Sequence, residues 1–155
     1  MNTDLEKKIS YLINEFNSQN YNSVISIVEE LIDNDVDIPI IYNLLGASYS
    51  SLNKHSKAID AYKNALRKDP KNEEVFRNLG KSYSKLDETD KAHECFIKAN
   101  KIKPKNADAL FGIGLLFLKN KNFLKSIEQF NLAIKFNNSF YQAYYNIAIA
   151  QTFMG

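Results

Sequence analysis

The chain has 155 residues, 45% of them hydrophobic and 25% charged, with a formal net charge of +2. That is enough apolar material for a substantial core and too little net charge to argue for nucleic acid as a partner, while the single cysteine, Cys95, excludes an intramolecular disulfide framework. The N-terminal stretch MNTDLEKKIS lacks the apolar segment of a signal peptide, and the longest apolar run, Ala109 to Leu118, is about half of what a bilayer span needs, so the expectation is a cytoplasmic protein or an internal piece of one.

Residues 5–38 carry two helical stripes, Leu5, Ile9, Leu12, Ile13 and Phe16, then Tyr21, Val24, Ile25, Val28 and Leu31. From residue 39 onward three units, 39–72, 73–106 and 107–140, align column by column at a period of 34 residues. The columns are Tyr42, Phe76 and Leu110; Leu45, Leu79 and Ile113; Gly46, Gly80 and Gly114; Tyr49, Tyr83 and Phe117; Ala58, Ala92 and Ser126; Tyr62, Phe96 and Phe130; Ala65, Ala99 and Ala133. Within a unit Tyr42, Leu45, Gly46 and Tyr49 stand at i, i+3, i+4 and i+7, and Ala58, Tyr62 and Ala65 follow the same rule, so each unit is a pair of amphipathic helices. A glycine inside a helix costs roughly 1 kcal/mol relative to alanine. Its return in three successive helices implies close helix approach, with Ala58 and Ala65 offering small surfaces opposite. Pro70 and Pro104 stop the second helices, and Asn72 and Asn106 are placed to cap the helices that follow. In residues 141–155 the pattern starts again, with Tyr144, Ile147 and Ala148 in the aromatic, leucine and glycine columns.

These columns resemble the tetratricopeptide repeat (TPR) family, whose signature runs large aromatic, Leu-Gly, Tyr, Ala, aromatic, Ala and Pro over about 34 residues. The resemblance covers almost the whole chain as one domain, 1–155, with 5–38 a degenerate repeat that has Leu12 at the glycine position and Val24 at the first alanine position. Residues 39–72, 73–106 and 107–140 are full repeats, and 141–155 is the first helix of a further repeat acting as a terminal helix. It implies an all-α fold, a right-handed α-solenoid of stacked antiparallel helix hairpins. The function it implies is a non-catalytic protein–protein interaction scaffold that binds a peptide or helix of a partner protein in its concave groove.

In the family that groove is lined by first-helix residues at repeat positions two, five, six, nine and about twelve or thirteen. Carried onto this sequence they include Asn43 in the second repeat, Arg77, Asn78, Lys81 and Lys85 in the third, Phe111, Gly112, Leu115 and Lys119 in the fourth, and Tyr145, Asn146 and Ile149 in the last helix. Arg77, Lys81 and Lys85 fall at i, i+4 and i+8, a basic stripe that passes into an apolar and aromatic one, which suits a peptide with acidic and hydrophobic side chains. One family specialisation, the dicarboxylate clamp for acidic chaperone tails, needs Lys and Asn, then Asn, then Lys and Arg across three repeats. The two available registers offer Asn43, Ala47, Asn78, Asp108 and Gly112, or Ile9, Ile13, Leu44, Glu74 and Asn78; neither matches, so no specific binding of such tails is expected.

No catalytic signature occurs: His55 and His93 are far apart, and there is no HExxH, CxxC, GxSxG or phosphate-loop pattern. The expectation is therefore no enzyme activity, no cofactor, no metal, and neither nucleic acid nor membrane as a partner. Glu73/Glu74 and Asp87/Glu88 read as acids opposing the positive ends of helix dipoles, and Lys98, Lys101, Lys103 and Lys105 as a solvated helix end. Cys95 reads as a half-buried thiol. Two alternatives stand beside the scaffold: an N-terminal substrate-recruiting domain of a larger enzyme such as a glycosyl- or sulfotransferase, and self-assembly as a homo-oligomer through the C-terminal helix. The latter follows from Tyr141 to Met154 being apolar nearly all round, where a solenoid's terminal unit needs a polar outer face.

Overall fold

The structure is a computed structural model that describes residues 3–155. Among the described residues there are nine α-helices and no strand: α1 (Thr3–Asn17), α2 (Tyr21–Asp33), α3 (Pro39–Ser51), α4 (His55–Lys68), α5 (Glu73–Lys85), α6 (Thr89–Ile102), α7 (Ala107–Lys119), α8 (Phe123–Phe136) and α9 (Tyr141–Thr152). None of them is long and apolar enough to cross a membrane. The helices group into two compact units, Met1–Lys71 and Asn72–Gly155. In the first, α3 packs on α4, α2 and α1; in the second, α5 packs on α6 and α7, and α7 on α6, α8 and α9. Each even-numbered helix is thus the return arm of a hairpin, and within each unit successive first helices lie side by side.

The hairpin turns recur with the sequence period. Gln19, Asn53, Asp87 and Lys121 adopt left-handed φ of 63°, 58°, 63° and 57°. One residue later the backbone N–H groups of Asn20, Lys54, Glu88 and Asn122 donate back to the carbonyls of Glu15, Tyr49, Tyr83 and Phe117 at 2.8–3.0 Å, closing the C-terminus of each first helix. The degenerate first repeat therefore turns as the full ones do. At the other junctions Asn72 Oδ1 accepts from the Val75 N–H at 3.1 Å, and Asn106 Oδ1 from the Ala109 N–H at 3.0 Å, as the capping pattern requires.

The glycine column faces something other than the alanines opposite. A Cβ on Gly46 would stand 2.6 Å from the ring of Tyr62, and one on Gly114 would stand 2.5 Å from the ring of Phe130. The glycines are seats for the aromatic of the second helix, and those rings are the largest fully buried side chains in their repeats. Burying a Phe-sized side chain contributes roughly 1.5–3 kcal/mol, which outweighs the propensity lost at the glycine. Ala58, Ala92 and Ala65 are also fully buried and let the helices close around the ring.

Candidate functional site

In the second unit three first helices, α5, α7 and α9, bring one predicted face together. α5 supplies Arg77, Asn78, Lys81 and Lys85, α7 supplies Phe111 and Leu115, and α9 supplies Tyr145, Asn146 and Ile149. Arg77 pairs with Asp108 at the start of α7, with Nη1 to Oδ2 at 3.6 Å, and its buried Nε makes no hydrogen bond. Its side chain is 20% exposed. Lys81, one turn further along α5, is exposed overall, yet enough protein surrounds its ammonium that burial lowers its pKa below the ordinary lysine value; the charge of Arg77 lowers it further, and Asp108 and Glu74 offset this in part. Two cations are therefore held close together, with Asp108 and Glu74 nearby. Such a pair accepts an anion with little reorganisation, the planar guanidinium being suited to a carboxylate.

Beyond the cations the face becomes apolar. Leu115 is 37% exposed and Tyr145 70%, with Ile149 half-buried beside them in sequence register. Asn146 donates Nδ2–H to the Gln142 carbonyl of its own helix at 2.7 Å. Phe111 is only half available: its ring packs at centroid distances of 5.5 Å from Phe130 and 4.7 Å from Phe140, so it supports the α7, α8 and α9 junction as well as the face. Asn78 is half-buried and Lys85 exposed. Asn43 belongs to the first unit, half-buried on α3.

Several neighbouring residues have structural duties that the sequence pattern does not reveal. Gly112, placed on the groove by its repeat position, is buried: a Cβ there would meet the Phe96 ring at 2.6 Å, so Phe96 is held between Gly80 of its own repeat and Gly112 of the next. Lys119 reaches back to pair with Asp87 in the preceding hairpin turn. The acidic pairs also do more than oppose helix dipoles. Glu73 accepts from Asn106 Nδ2 at 2.8 Å and lies 3.4 Å from Lys103 Nζ, while Glu88 pairs with Lys91. The lysine cluster at the end of α6 is likewise dispersed, with Lys98 2.7 Å from Glu94 and Lys105 over the Phe136 ring at 5.9 Å. Cys95 is buried rather than half-buried. Among the described residues no group of three His, Cys, Asp or Glu could hold a metal ion.

Hairpins repeated every 34 residues, three of them seating an aromatic on a glycine, define a helical-repeat protein. The sequence matches the family models described as TPR repeat, over residues 46–87, and Tetratricopeptide repeat, over residues 77–141, together more than half of the chain. The chain belongs to the tetratricopeptide repeat family. No curated protein matches it significantly in sequence. Among solved structures it is similar to the crystal structure of MamA, with a TM-score of 0.82 at 22% identity over 92% of this chain and 83% of that one. It is also similar to YrrB, described as a TPR protein with an unusual peptide-binding site, with a TM-score of 0.75 at 18% identity over 94% of this chain and 75% of that one. A third likeness is the first TPR of Spaghetti (RPAP3) bound to the HSP90 peptide SRMEEVD, with a TM-score of 0.71 at 15% identity over 77% of this chain and 98% of that one. At such identities these likenesses establish the all-α fold of stacked antiparallel hairpins, and the family is one of protein-interaction modules.

Proposed function

We propose that the chain is a non-catalytic interaction scaffold whose first-helix face in the second unit is a concave groove for a segment of a partner protein. An acidic side chain of that segment sits between Arg77 and Lys81, and its apolar side chains lie along Leu115, Tyr145 and Ile149. Asn78, Lys85 and Asn146 form the polar surroundings and Phe111 backs the apolar part, while Asn43, at the repeat position of Arg77, offers an amide on the corresponding face of α3 in the first unit. The observation that carries this reading is the neighbouring pair Arg77 and Lys81 on α5, continued by the exposed apolar side chains Leu115 and Tyr145 on α7 and α9. It is supported by the peptide-binding TPR proteins among the structural neighbours.

The test is selection from a displayed random-peptide library on the immobilised protein. The enriched peptides carry at least one Asp or Glu followed by aliphatic or aromatic residues, and an Arg77→Glu, Lys81→Glu variant of unchanged helicity loses them. Enrichment without an acidic preference, or equal enrichment by the variant, rejects the reading.

A further inference from the structure

The charges at the polar end of the α5–α7 face come in both signs. Glu74 and Asp108 hold the same repeat position at the starts of α5 and α7, and Arg77 and Lys81 follow Glu74 on α5 at i+3 and i+7. The four groups act on one another: Arg77 Nη1 stands 3.6 Å from Asp108 Oδ2, and the Lys81 ammonium feels the charges of Arg77, Asp108 and Glu74 together. Their formal charges sum to zero. At 3.6 Å the Arg77–Asp108 contact is longer than a hydrogen bond, and the Asp108 side chain is 54% exposed, so its carboxylate stays open to a second cation. Glu74 is exposed as well. Lys85, one turn beyond Lys81, is exposed at the far end of α5 from both acids, and past it Lys119 and Asp87 pair with each other.

We propose that the partner segment is zwitterionic where it crosses this face: near the acid that sits between Arg77 and Lys81 it carries a lysine or arginine, and Asp108 with Glu74 receives that cation. The inference rests on the groove reading above and adds the ligand's second charge. A lone carboxylate brought between Arg77 and Lys81 turns a neutral quartet into five charges with one negative in excess, and it shares the Arg77 guanidinium with Asp108, two like charges on one group. Like charges set against each other across an interface are costly, and opposite ones fix register. An ammonium or guanidinium on the same segment, set against Asp108 and Glu74, offsets that repulsion and leaves both sides neutral. An acidic tract, the simpler partner for a basic stripe, instead meets both acids with like charge.

The geometry of α5 sets the spacing of the two ligand charges. From Glu74 to Arg77 and to Lys81 the helix rises roughly 5 Å and roughly 10 Å. An extended segment covers that range in about two or three residues at about 3.3 Å each. The base therefore stands two or three residues from the acid.

Selection from a displayed random-peptide library on the wild type, Asp108→Asn and Asp108→Lys, each checked for unchanged helicity, reads the second charge. On the wild type the enriched acidic peptides carry Lys or Arg two or three residues from the acid, well above its frequency in the starting library. Asp108→Asn loses most of this co-enrichment, and Asp108→Lys replaces the base by a second acid. Asp108→Asn, which is isosteric, carries the test alone if the lysine perturbs the start of α7. Fluorescence anisotropy then compares one selected peptide with the same peptide bearing alanine in place of its base. The base contributes about three- to tenfold in affinity on the wild type, and the gap closes on Asp108→Asn. The peptide with both charges also loses less affinity from low to high salt than the acid-only form. Acidic peptides enriched without a base, or a base co-enriched as strongly on Asp108→Lys and Asp108→Asn as on the wild type, overturn this inference while the groove reading stands. No acidic enrichment at all rejects both.

Discussion

The ring of Phe130 comes so near to Gly114 that an added Cβ would lie 2.5 Å from a ring carbon, and Phe130 is fully buried with no room to retreat. The corresponding contact of Gly80 with Phe96 is longer, 3.0 Å to the nearest ring atom. The two glycines therefore respond differently to the same change. Alanine gains roughly 1 kcal/mol of helix propensity at either site, but at Gly114 overpacking costs about 1–3 kcal/mol. Gly114→Ala is expected to destabilise the protein by up to about 2 kcal/mol, and Gly80→Ala to come near neutrality. Urea denaturation of both variants gives the ranking, and a Gly114→Ala protein as stable as the wild type would mean that the glycine column is not a steric seat.

Ser82 is fully buried on α5 and its hydroxyl has no hydrogen-bond partner. In the next repeats the same column holds Leu116 and Ala150. A buried hydroxyl without a partner costs about 1–3 kcal/mol, so Ser82→Ala is expected to raise stability by about 1 kcal/mol. A loss of stability in denaturant titration would show that the hydroxyl is satisfied in solution, by water or by a turn carbonyl.

Asp108 lies 3.6 Å from Arg77 and is one of two acids that hold Lys81 closer to its ordinary pKa. Removing its charge leaves the cation pair more strained. Asp108→Asn is expected to lower the Lys81 pKa further and to strengthen binding of acidic peptides several-fold at low salt. An NMR titration of the lysine side chains reads the first effect and fluorescence anisotropy the second. An unchanged Lys81 titration would dissociate Asp108 from the site.

The fold was legible because its determinants are local and repeated. Gly46, Gly80 and Gly114 with their aromatic and alanine partners announce helix pairs at a fixed period, and Asn72 and Asn106 mark helix starts. What sits against a glycine was not legible, because spacing within one helix cannot say which residue of its neighbour arrives there. The ring of Tyr62 rather than the face of Ala58 was decided in three dimensions. The turns hid for a related reason: backbone hydrogen bonds hold Gln19 and Lys121 left-handed without the glycine that would advertise it. A further column escaped notice because lysines on a helix surface look merely solvated. Lys57, Lys91 and Lys125 lie 5.4, 5.5 and 5.6 Å over the rings of Tyr49, Tyr83 and Phe117, the same cation–π contact recurring in each full repeat. At the candidate site the basic residues were visible in the sequence. The burial of Gly112 and the engagement of Phe111 and Lys119 were not, since each depends on a neighbouring repeat.

The absence of the clamp pattern has a physical counterpart. Of the two basic positions the clamp needs on the third of its repeats, one is Asp108, an acid beside Arg77, and the other is Gly112, covered by Phe96. A chain-terminal carboxylate therefore finds no dedicated pair of cations there. The peptide SRMEEVD is expected to bind at most weakly, through its side-chain acids, with no change when its C-terminus is amidated. Calorimetry with the acid and amide forms tests this, and micromolar binding abolished by amidation would sink it.

In the first unit the Tyr49 hydroxyl donates to Glu29 Oε1 at 2.7 Å, tying α3 to α2. Burial, followed by this hydrogen bond to an acid, pushes its pKa from 10.0 up to about 12. The folded state thus holds the proton more tightly than the unfolded chain, whose tyrosine ionises at about 10. The stabilisation is complete below pH about 10, declines as the pH rises, and is lost once the folded pKa near 12 is passed. Tyr42 is raised in the same direction by burial and by Asp37, so the wild-type profile contains both groups and a single variant is needed to separate them. Tyr49→Phe keeps the ring under Lys57 and removes only the hydroxyl. It is expected to be about 1 kcal/mol less stable than the wild type near neutrality, with the difference shrinking between pH about 10 and 11.5 as the wild type loses what the variant never had. Urea denaturation across that range measures it; a gap that stays constant or widens with pH would mean that Tyr49 ionises no more reluctantly in the folded protein than in the unfolded chain.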